Sequence, residues 1–309
     1  MNIEHCVITA AGPRQSRLPL QRLIDRDGVE KSALRIILEE VFSGGIERVV
    51  TVISPGCREA FADAVGSDLS ARVSFVEQRE PQGYADALLR ARAELAPGPF
   101  LHLVGDHLYL RRGTGGSCTR QLLEVAREEG CLVSAVQATS ERLIRHYGTV
   151  GGQRMGSQPR FVEVERVIEK PTPTIAEQEL LIPGVRSGQY LCFFGMHVLH
   201  HGVFDQIERL GREATVSGVL NELAAKERYL AIELDGVRYD LGISYGTLMA
   251  QLALALEGVN RDRVLTQVAE LLISQRLSAE QSDRPACALP GIPNLPPTLS
   301  GPRSSCSSP

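Results

Sequence analysis

The sequence predicts an α/β protein with a Rossmann-like, mostly parallel mixed sheet and helices on both faces. Three observations carry this. Apolar runs of strand length alternate with amphipathic helical stretches over roughly the first half of the chain. The runs are short and continuous, as buried strands require, and their alternation with helices spells repeated βαβ units. The 309 residues are 43% hydrophobic and 23% charged, enough for a large core, which excludes a wholly disordered protein or a small stapled scaffold.

The elements follow in order. Residues 6–10 (CVITA) read as a buried strand ended by Gly12 and Pro13. Residues 31–43 read as a helix, with Ala33, Leu34, Ile37, Leu38, Val41 and Phe42 on one face and Gly44-Gly45 as the stop. Strand 49–53, helix 58–65, strand 73–76, helix 85–95, strand 100–104, helix 119–128 and strand 131–137 continue the alternation. From about Tyr147 the pattern changes. Residues 160–168 alternate as a half-exposed strand, and 189–198 and 230–234 are further strands. Residues 213–227, 243–257 and 263–277 have helical spacing. Seven of the 17 prolines fall in the last 30 residues, the composition of a disordered tail. The expected organisation is a catalytic domain over 1–258, a helix over 259–279 and the tail over 280–309.

A net charge of −4 and a pI near 6.0 argue against a nucleic-acid polymer as partner. Tryptophan is absent and aromatics are 5%, which argues against stacking platforms for single strands. No apolar run reaches the roughly 18–20 residues of a membrane span, and the first residues, which include Glu4, make a poor signal peptide. Seven scattered cysteines without a CxxC pair read as reduced thiols of a cytoplasm, and no zinc-ligand spacing is present. A homo-oligomer is left open.

Ligands of open α/β sheets sit at the carboxyl ends of strands, so the segments after the strands carry the chemistry. There is no Walker A loop and no GxGxxG, which argues against a nicotinamide dehydrogenase. Five segments remain. Residues 10–19 (AAGPRQSRLP) put a glycine and two arginines after the first strand, suited to an anion or equally to a surface loop. Residues 77–87 contain Gln78, whose amide can read a base edge, and Gly83, which permits close approach; an ordinary Pro/Gly turn is the plainer reading. Asp106 follows the fourth strand and suits Mg²⁺ or a turn. Glu169-Lys170-Pro171 offers a carboxylate for hydroxyls and a cation for phosphate. Asp240, in YDLG, precedes a helix and suits a metal or, more commonly, a helix N-cap.

Taken in this order, the segments resemble the sugar-phosphate nucleotidyltransferases, most closely the bacterial UTP–glucose-1-phosphate uridylyltransferases, over roughly residues 1–256. Gly12, Arg17, Leu18 and Pro19 are similar to the remains of a GxGTRxLP loop, and Lys31 to Gly45 to the helix that follows. Gln78, Pro81 and Gly83 are similar to the base-reading QxxPxG segment, in a spelling nearer the thymidylyltransferases. Glu169, Lys170 and Pro171 match the EKP motif, and Asp240 with Gly242 the "DCG". The resemblance implies Ala11, Gly12, Gln78, Pro81 and Gly83 as nucleotide-binding residues. It implies Glu169, Gly188 and Glu213 on the sugar phosphate, with Tyr190 on the same strand as Gly188. Asp106 and Asp240 would hold Mg²⁺. Arg17 would steady the leaving pyrophosphate and Lys170 the sugar phosphate. The implied substrates are UTP, or dTTP in the alternative, and a sugar 1-phosphate, taken as glucose 1-phosphate. The chain departs from the pattern at residues 13–16, where glycines are lost, and at the family's two further lysines, with Ser244 in place of one. These departures support the rival expectation of a weak or inactive sugar-nucleotide-binding homologue; retained Asp106, Lys170 and Asp240 oppose it.

Overall fold

The computed structural model describes residues 1–12, 16–156 and 158–282. In chain order the elements are β1 (His5–Thr9), β2 (Arg22–Ile24), β3 (Glu30–Ser32), α1 (Ala33–Ser43), β4 (Arg48–Ile53), α2 (Arg58–Val65), β5 (Val73–Glu77), α3 (Tyr84–Arg90), β6 (Pro99–Val104), β7 (His107–Arg111), α4 (Cys118–Glu129), β8 (Leu132–Ser140), β9 (Gly148–Met155), β10 (Gln158–Glu169), α5 (Pro173–Glu179), β11 (Gln189–His200), α6 (Gly202–Leu210), α7 (Val216–Ala224), β12 (Tyr229–Glu233), β13 (Gly236–Asp240), α8 (Gly246–Glu257) and α9 (Arg261–Ser282). Met1–Arg261 makes one compact unit and a second begins at Asp262. Helix α9 reaches Ser282, beyond the expected end at 279. Of the expected tail, residues 283–309 lie outside the described residues.

Nine strands form one sheet in the order β5-β4-β1-β6-β11-β8-β12-β10-β9. The first four are mutually parallel, and so are β8 and β12. Following the pairings across the sheet, only β10 and β11 run against the rest. The expected mostly parallel mixed sheet is thus the observed one.

The apolar runs explain the layering. In β1, Cys6 and Ile8 face one core and Val7 the other, the period of two that an extended chain imposes. The first core is covered by α1 through Leu34, Ile37, Leu38 and Val41, and by α4 through Leu122, Leu123 and Ala126. The second is covered by α3, α6 and α7 through Leu88, Phe204, Ile207, Val219 and Leu220. Caps set several helix starts. Ser32 accepts from Arg35 N, so α1 begins at Ala33 and Lys31 sits in β3. Thr215 accepts from Gly218 N, so α7 begins at Val216 and Glu213, expected inside that helix, lies in the turn before it. The helix expected over 85–95 ends at Arg90, followed by a separate turn over Arg92–Glu94.

Two small ladders lie outside the sheet, β2 with β3 and β7 with β13. In the second, His107 stands opposite Asp240. Asp240 therefore ends a strand and is not the cap of α8, which begins at Gly246. The hairpin β9–β10 has two register shifts, and its first strand also pairs with β11 at Thr149–Cys192. The Gly148–Glu169 pair at the open end of the hairpin lines one cavity with residues that follow β1 and β6.

Candidate active site

A cavity of about 300 Å³ opens where these segments meet. Its first wall is Thr9 to Gly12, after β1. Gly105 N donates to Thr9 O at 2.9 Å, and a Cβ on Gly105 would stand 3.1 Å from Ala10 Cβ. The absent side chain lets the end of β6 pack close to β1, which carries Asp106 to the cavity.

Asp106 and Asp240 are far apart in sequence and are brought together by backbone pairing. Besides the His107–Asp240 register, Leu241 N donates to Asp106 O at 2.9 Å. Asp106, His107 and Asp240 each offer a ligand atom within 4.8 Å of the other two. Asp106 Oδ1 is 2.7 Å from His107 Nδ1, and Asp240 Oδ1 accepts from Gly242 N at 2.8 Å. Burial opposes ionisation of Asp106. The charges of His107 and Arg238 and the bond to His107 outweigh it, holding the carboxyl below the ordinary carboxylate range. The donor set fits a divalent cation: two carboxylates that keep oxygens free, beside a cavity that admits phosphates.

Gln78, buried after β5, lines the cavity. Its Nε2 donates to Gly83 O at 3.0 Å and to Asp86 Oδ2 at 2.7 Å. Both partners are acceptors, so they fix the amide's orientation and leave the Gln78 oxygen free to accept. Gly83 has φ +103° with open space where a Cβ would point, and caps α3. Beside it Tyr84 turns its hydroxyl toward His102 Nε2 at 3.3 Å. Burial, with the charges of Asp106 and Glu169, pushes that phenol well above its usual range.

Tyr147, Gly148, Glu169, Lys170 and Ser217 also line the cavity. Ser217 Oγ donates to Glu169 Oε2 at 2.5 Å, and Lys170 Nζ is 3.4 Å from Glu169 Oε1. Lys170 has φ +48°, and its N–H donates to Tyr147 O at 3.1 Å. This left-handed turn at the end of β10 is uncommon for a residue with a Cβ. His197 also lines the cavity, and its ring stacks on the buried His102, with centroids 5.7 Å apart. Burial keeps both rings neutral, His197 with a pKa lowered to about 3.

Of the residues singled out in the sequence, Ala11, Gly12, Gln78, Gly83, Asp106, Glu169 and Lys170 line the cavity. Asp240 joins through the cluster with Asp106 and lines an adjoining cavity of about 210 Å³ together with Ser244. Arg17, Pro81, Gly188 and Glu213 are exposed and are not among the described residues lining the main cavity. Tyr190 is buried beneath it in a small cluster with Tyr147. Of the departing loop 13–16, residues 13–15 lie outside the described residues. Lys31 is held by Asp25, Asp27 and Glu39 at 2.7, 2.7 and 2.8 Å, a structural role. Sequence reasoning missed Tyr84, His107, Tyr147, Gly148 and Ser217. The visible signals were adjacency to Gln-x-x-Pro-x-Gly, to Asp106 and to a helix cap, none specific alone.

Residues 27–253 match the nucleotidyl transferase family. The chain belongs to that family. Among relatives, a UTP–glucose-1-phosphate uridylyltransferase of Streptococcus pyogenes is 25% identical, over 82% of this chain and 90% of its own length. The Bacillus subtilis UTP–glucose-1-phosphate uridylyltransferase YngB is 26% identical over the same shares. A UDP-glucose pyrophosphorylase from Acinetobacter baumannii superposes with a TM-score of 0.70, covering 88% of this chain and all of that one at 18% identity. A glucose-1-phosphate thymidylyltransferase structure from Bacillus anthracis superposes at 0.63, with 14% identity, over 84% of this chain and 95% of that one. These likenesses fix the fold of this nucleotidyl transferase. No described helix is long and apolar enough to cross a membrane. Cys6, Cys57, Cys118, Cys131 and Cys192 are free thiols.

Proposed function

We propose that the chain transfers a uridylyl group from UTP to glucose 1-phosphate, releasing pyrophosphate. The observation that carries this is the arrangement at one cavity: an oriented amide acceptor, Glu169 with Lys170, and Asp106 share its lining, and Asp240 joins Asp106 through the carboxylate–histidine cluster. The curated relatives bear that activity in their names.

A phosphate oxygen of glucose 1-phosphate attacks the α-phosphorus in line. The bond from that phosphorus to the oxygen bridging the β-phosphate breaks, and pyrophosphate leaves with the electron pair. No protein nucleophile is needed, so catalysis is positioning and charge neutralisation. The free oxygen of Gln78 accepts the ring N–H of uracil; cytosine presents an acceptor at that position and is repelled. Glu169, steadied by Ser217, accepts sugar hydroxyls, while Lys170 meets the sugar phosphate. Asp106 and Asp240 would hold Mg²⁺, which supplies neutralisation of phosphate oxygens when bound. Arg17 stands outside the described cavity wall, and its proposed service to pyrophosphate rests on the resemblance of its segment alone. The test is pyrophosphate release with glucose 1-phosphate, Mg²⁺ and each of UTP, dTTP, CTP, ATP and GTP separately. Release with UTP that disappears in Asp240→Asn supports the reading. Release only with dTTP moves it to a thymidylyltransferase. Silence throughout, with UDP-sugars still raising Tm, replaces it with a binding homologue.

A further inference from the structure

His197 lines the cavity, and the proposed reaction gives it no task. It lies on β11, where Leu191, Phe193 and Leu199 face the second core and Phe194, Met196 and Val198 the first, so its ring emerges on the second face. Only 2% of the residue is exposed. Its Nδ1 is 2.6 Å from Ser134 Oγ on β8, and that oxygen is 2.5 Å from the Tyr229 hydroxyl on β12. Of these three buried polar side chains, His197 alone lines the cavity.

The chain has one satisfied direction. Burial keeps the Tyr229 phenol protonated, and Ser134 is its one hydrogen-bond partner among the described residues. Its O–H therefore donates to Ser134 Oγ. Ser134 has a single proton to give, and it goes to His197 Nδ1. The reverse direction strands the Tyr229 proton without an acceptor, the costly outcome for a buried donor. With Nδ1 accepting, the neutral ring carries its own proton on Nε2. Nε2 has no hydrogen-bond partner among the described residues and is not sealed in the interior, so its N–H opens on the cavity.

The surroundings of the ring say what it meets. Phe193 stands edge-on to it with centroids 4.8 Å apart. The same Phe193 bounds Gly148, where an added Cβ would lie 2.6 Å from Phe193 Cδ2 and 2.5 Å from Ser217 Oγ, and Ser217 holds Glu169. All of these residues line the cavity, so His197 is linked to Glu169 by a continuous set of contacts. An ionised Glu169 only accepts, whereas a sugar hydroxyl both donates and accepts. Sugar oxygens bound beside Glu169 therefore lack a protein donor. An uncharged N–H supplies one without the cation that phosphate recognition uses.

We propose that His197 is a sugar-binding residue, its Nε2–H donating to a hydroxyl oxygen of the hexose whose hydroxyls Glu169 accepts. This rests on the placement of the sugar phosphate against Glu169.

The test compares UDP-glucose with UDP on the full chain by calorimetry, so that the hexose is the difference read. His197→Asn keeps an acceptor for Ser134 and leaves no atom in the place of Nε2. It weakens UDP-glucose roughly three- to tenfold, the worth of one neutral hydrogen bond, and leaves UDP within about twofold. Among UDP-glucoses that each lack one hydroxyl, one binds wild type and His197→Asn alike, because the oxygen that His197 meets is already missing. In wild type with ¹⁵N-labelled histidines, the spectrum of a neutral ring protonated on Nε2 shifts with UDP-glucose and not with UDP. Absence of that shift overturns the proposal even where His197→Asn fails to fold. So does equal weakening of UDP and UDP-glucose, which describes a ring serving the ribose or the fold alone. A penalty that depends on no single hydroxyl, no weakening at all, or failure of UDP-glucose to bind wild type also overturns it. UTP-dependent pyrophosphate release without this selectivity leaves the transferase reading standing and the histidine contact refuted. Selective weakening of UDP-glucose without turnover of any nucleotide does the reverse.

Discussion

Gly148 offers a direct test of where the sugar phosphate sits. Its backbone lies in a strand with no positive φ, so alanine is conformationally allowed. The added Cβ, however, would stand 2.5 Å from Ser217 Oγ and 2.6 Å from Phe193 Cδ2. Both neighbours must move. Overpacking of this kind costs about 1–3 kcal/mol in stability. Ser217 can yield only by rotating away, which breaks its 2.5 Å bond to Glu169 Oε2. A hydrogen bond to a charged group is worth about 1.5–3 kcal/mol. At about 1.4 kcal/mol per factor of ten, Gly148→Ala should raise KM for glucose 1-phosphate roughly 10- to 100-fold. UTP affinity should hold, since Gln78 is held by its own partners Gly83 and Asp86 and not by Ser217 or Glu169. The assay is pyrophosphate release at saturating UTP across a glucose 1-phosphate series, with calorimetric UTP binding beside it. Adding Ser217→Gly relieves the contact with Ser217 but not that with Phe193, and should recover only part of the lost Tm without recovering KM. An unchanged KM in a Gly148→Ala protein of lowered Tm would refute the placement of the sugar against Glu169.

Further expectations follow from the same geometry. Asp106→Asn and Asp240→Asn should each lower kcat about 100-fold or more, the scale for losing one electrostatic stabiliser, with Tm nearly unchanged by differential scanning fluorimetry. Asp86→Ala frees the Gln78 amide to turn over, and the preference for UTP over CTP in competition assays should fall by roughly tenfold. Glu40, buried and accepting from Thr119 N at 2.9 Å, has a carboxyl raised chiefly by burial. The folded state then binds its proton more tightly than the unfolded state, so the contribution of Glu40 to stability falls as pH rises above the unfolded carboxylate range. Glu40→Gln should accordingly raise Tm relative to wild type at pH 8 and not at pH 4. Thr215→Ala removes the cap of α7 and should lower stability by about 0.5–2 kcal/mol in urea unfolding.

Most of the sheet was legible because strands buried on both faces must be mainly apolar, and β1, β4 and β6 are. Helix α2 was read to the residue, and α1 and α4 within two. Strands β9 and β13 escaped notice. The first reads GTVGGQRM, where glycines erase the alternation that marks a half-buried strand, and the second reads GVRYD, too short and polar to stand out. The turn signal after β12 and the helix of α8 then made Asp240 look like a cap. Glu213, expected on the sugar phosphate, lies exposed in the turn before α7 because the cap at Thr215 delays the helix, and Ser217 is the α7 residue bonded to Glu169.

The order of strands and helices, the two-sided core and the residues at the ends of β1, β5 and β6 belong to the sequence alone, since each depends on local periodicity or on what immediately follows a strand. Which carboxylates meet does not. Asp106 and Asp240 come together through the pairing of β7 with β13, and Glu169, paired with Gly148 at the end of the β9–β10 hairpin, lines the same cavity as Asp106. His107 gains its position between them from that same ladder. Such contacts join segments far apart in the chain, and their partners are selected by packing across the whole fold, which no local pattern of residues encodes.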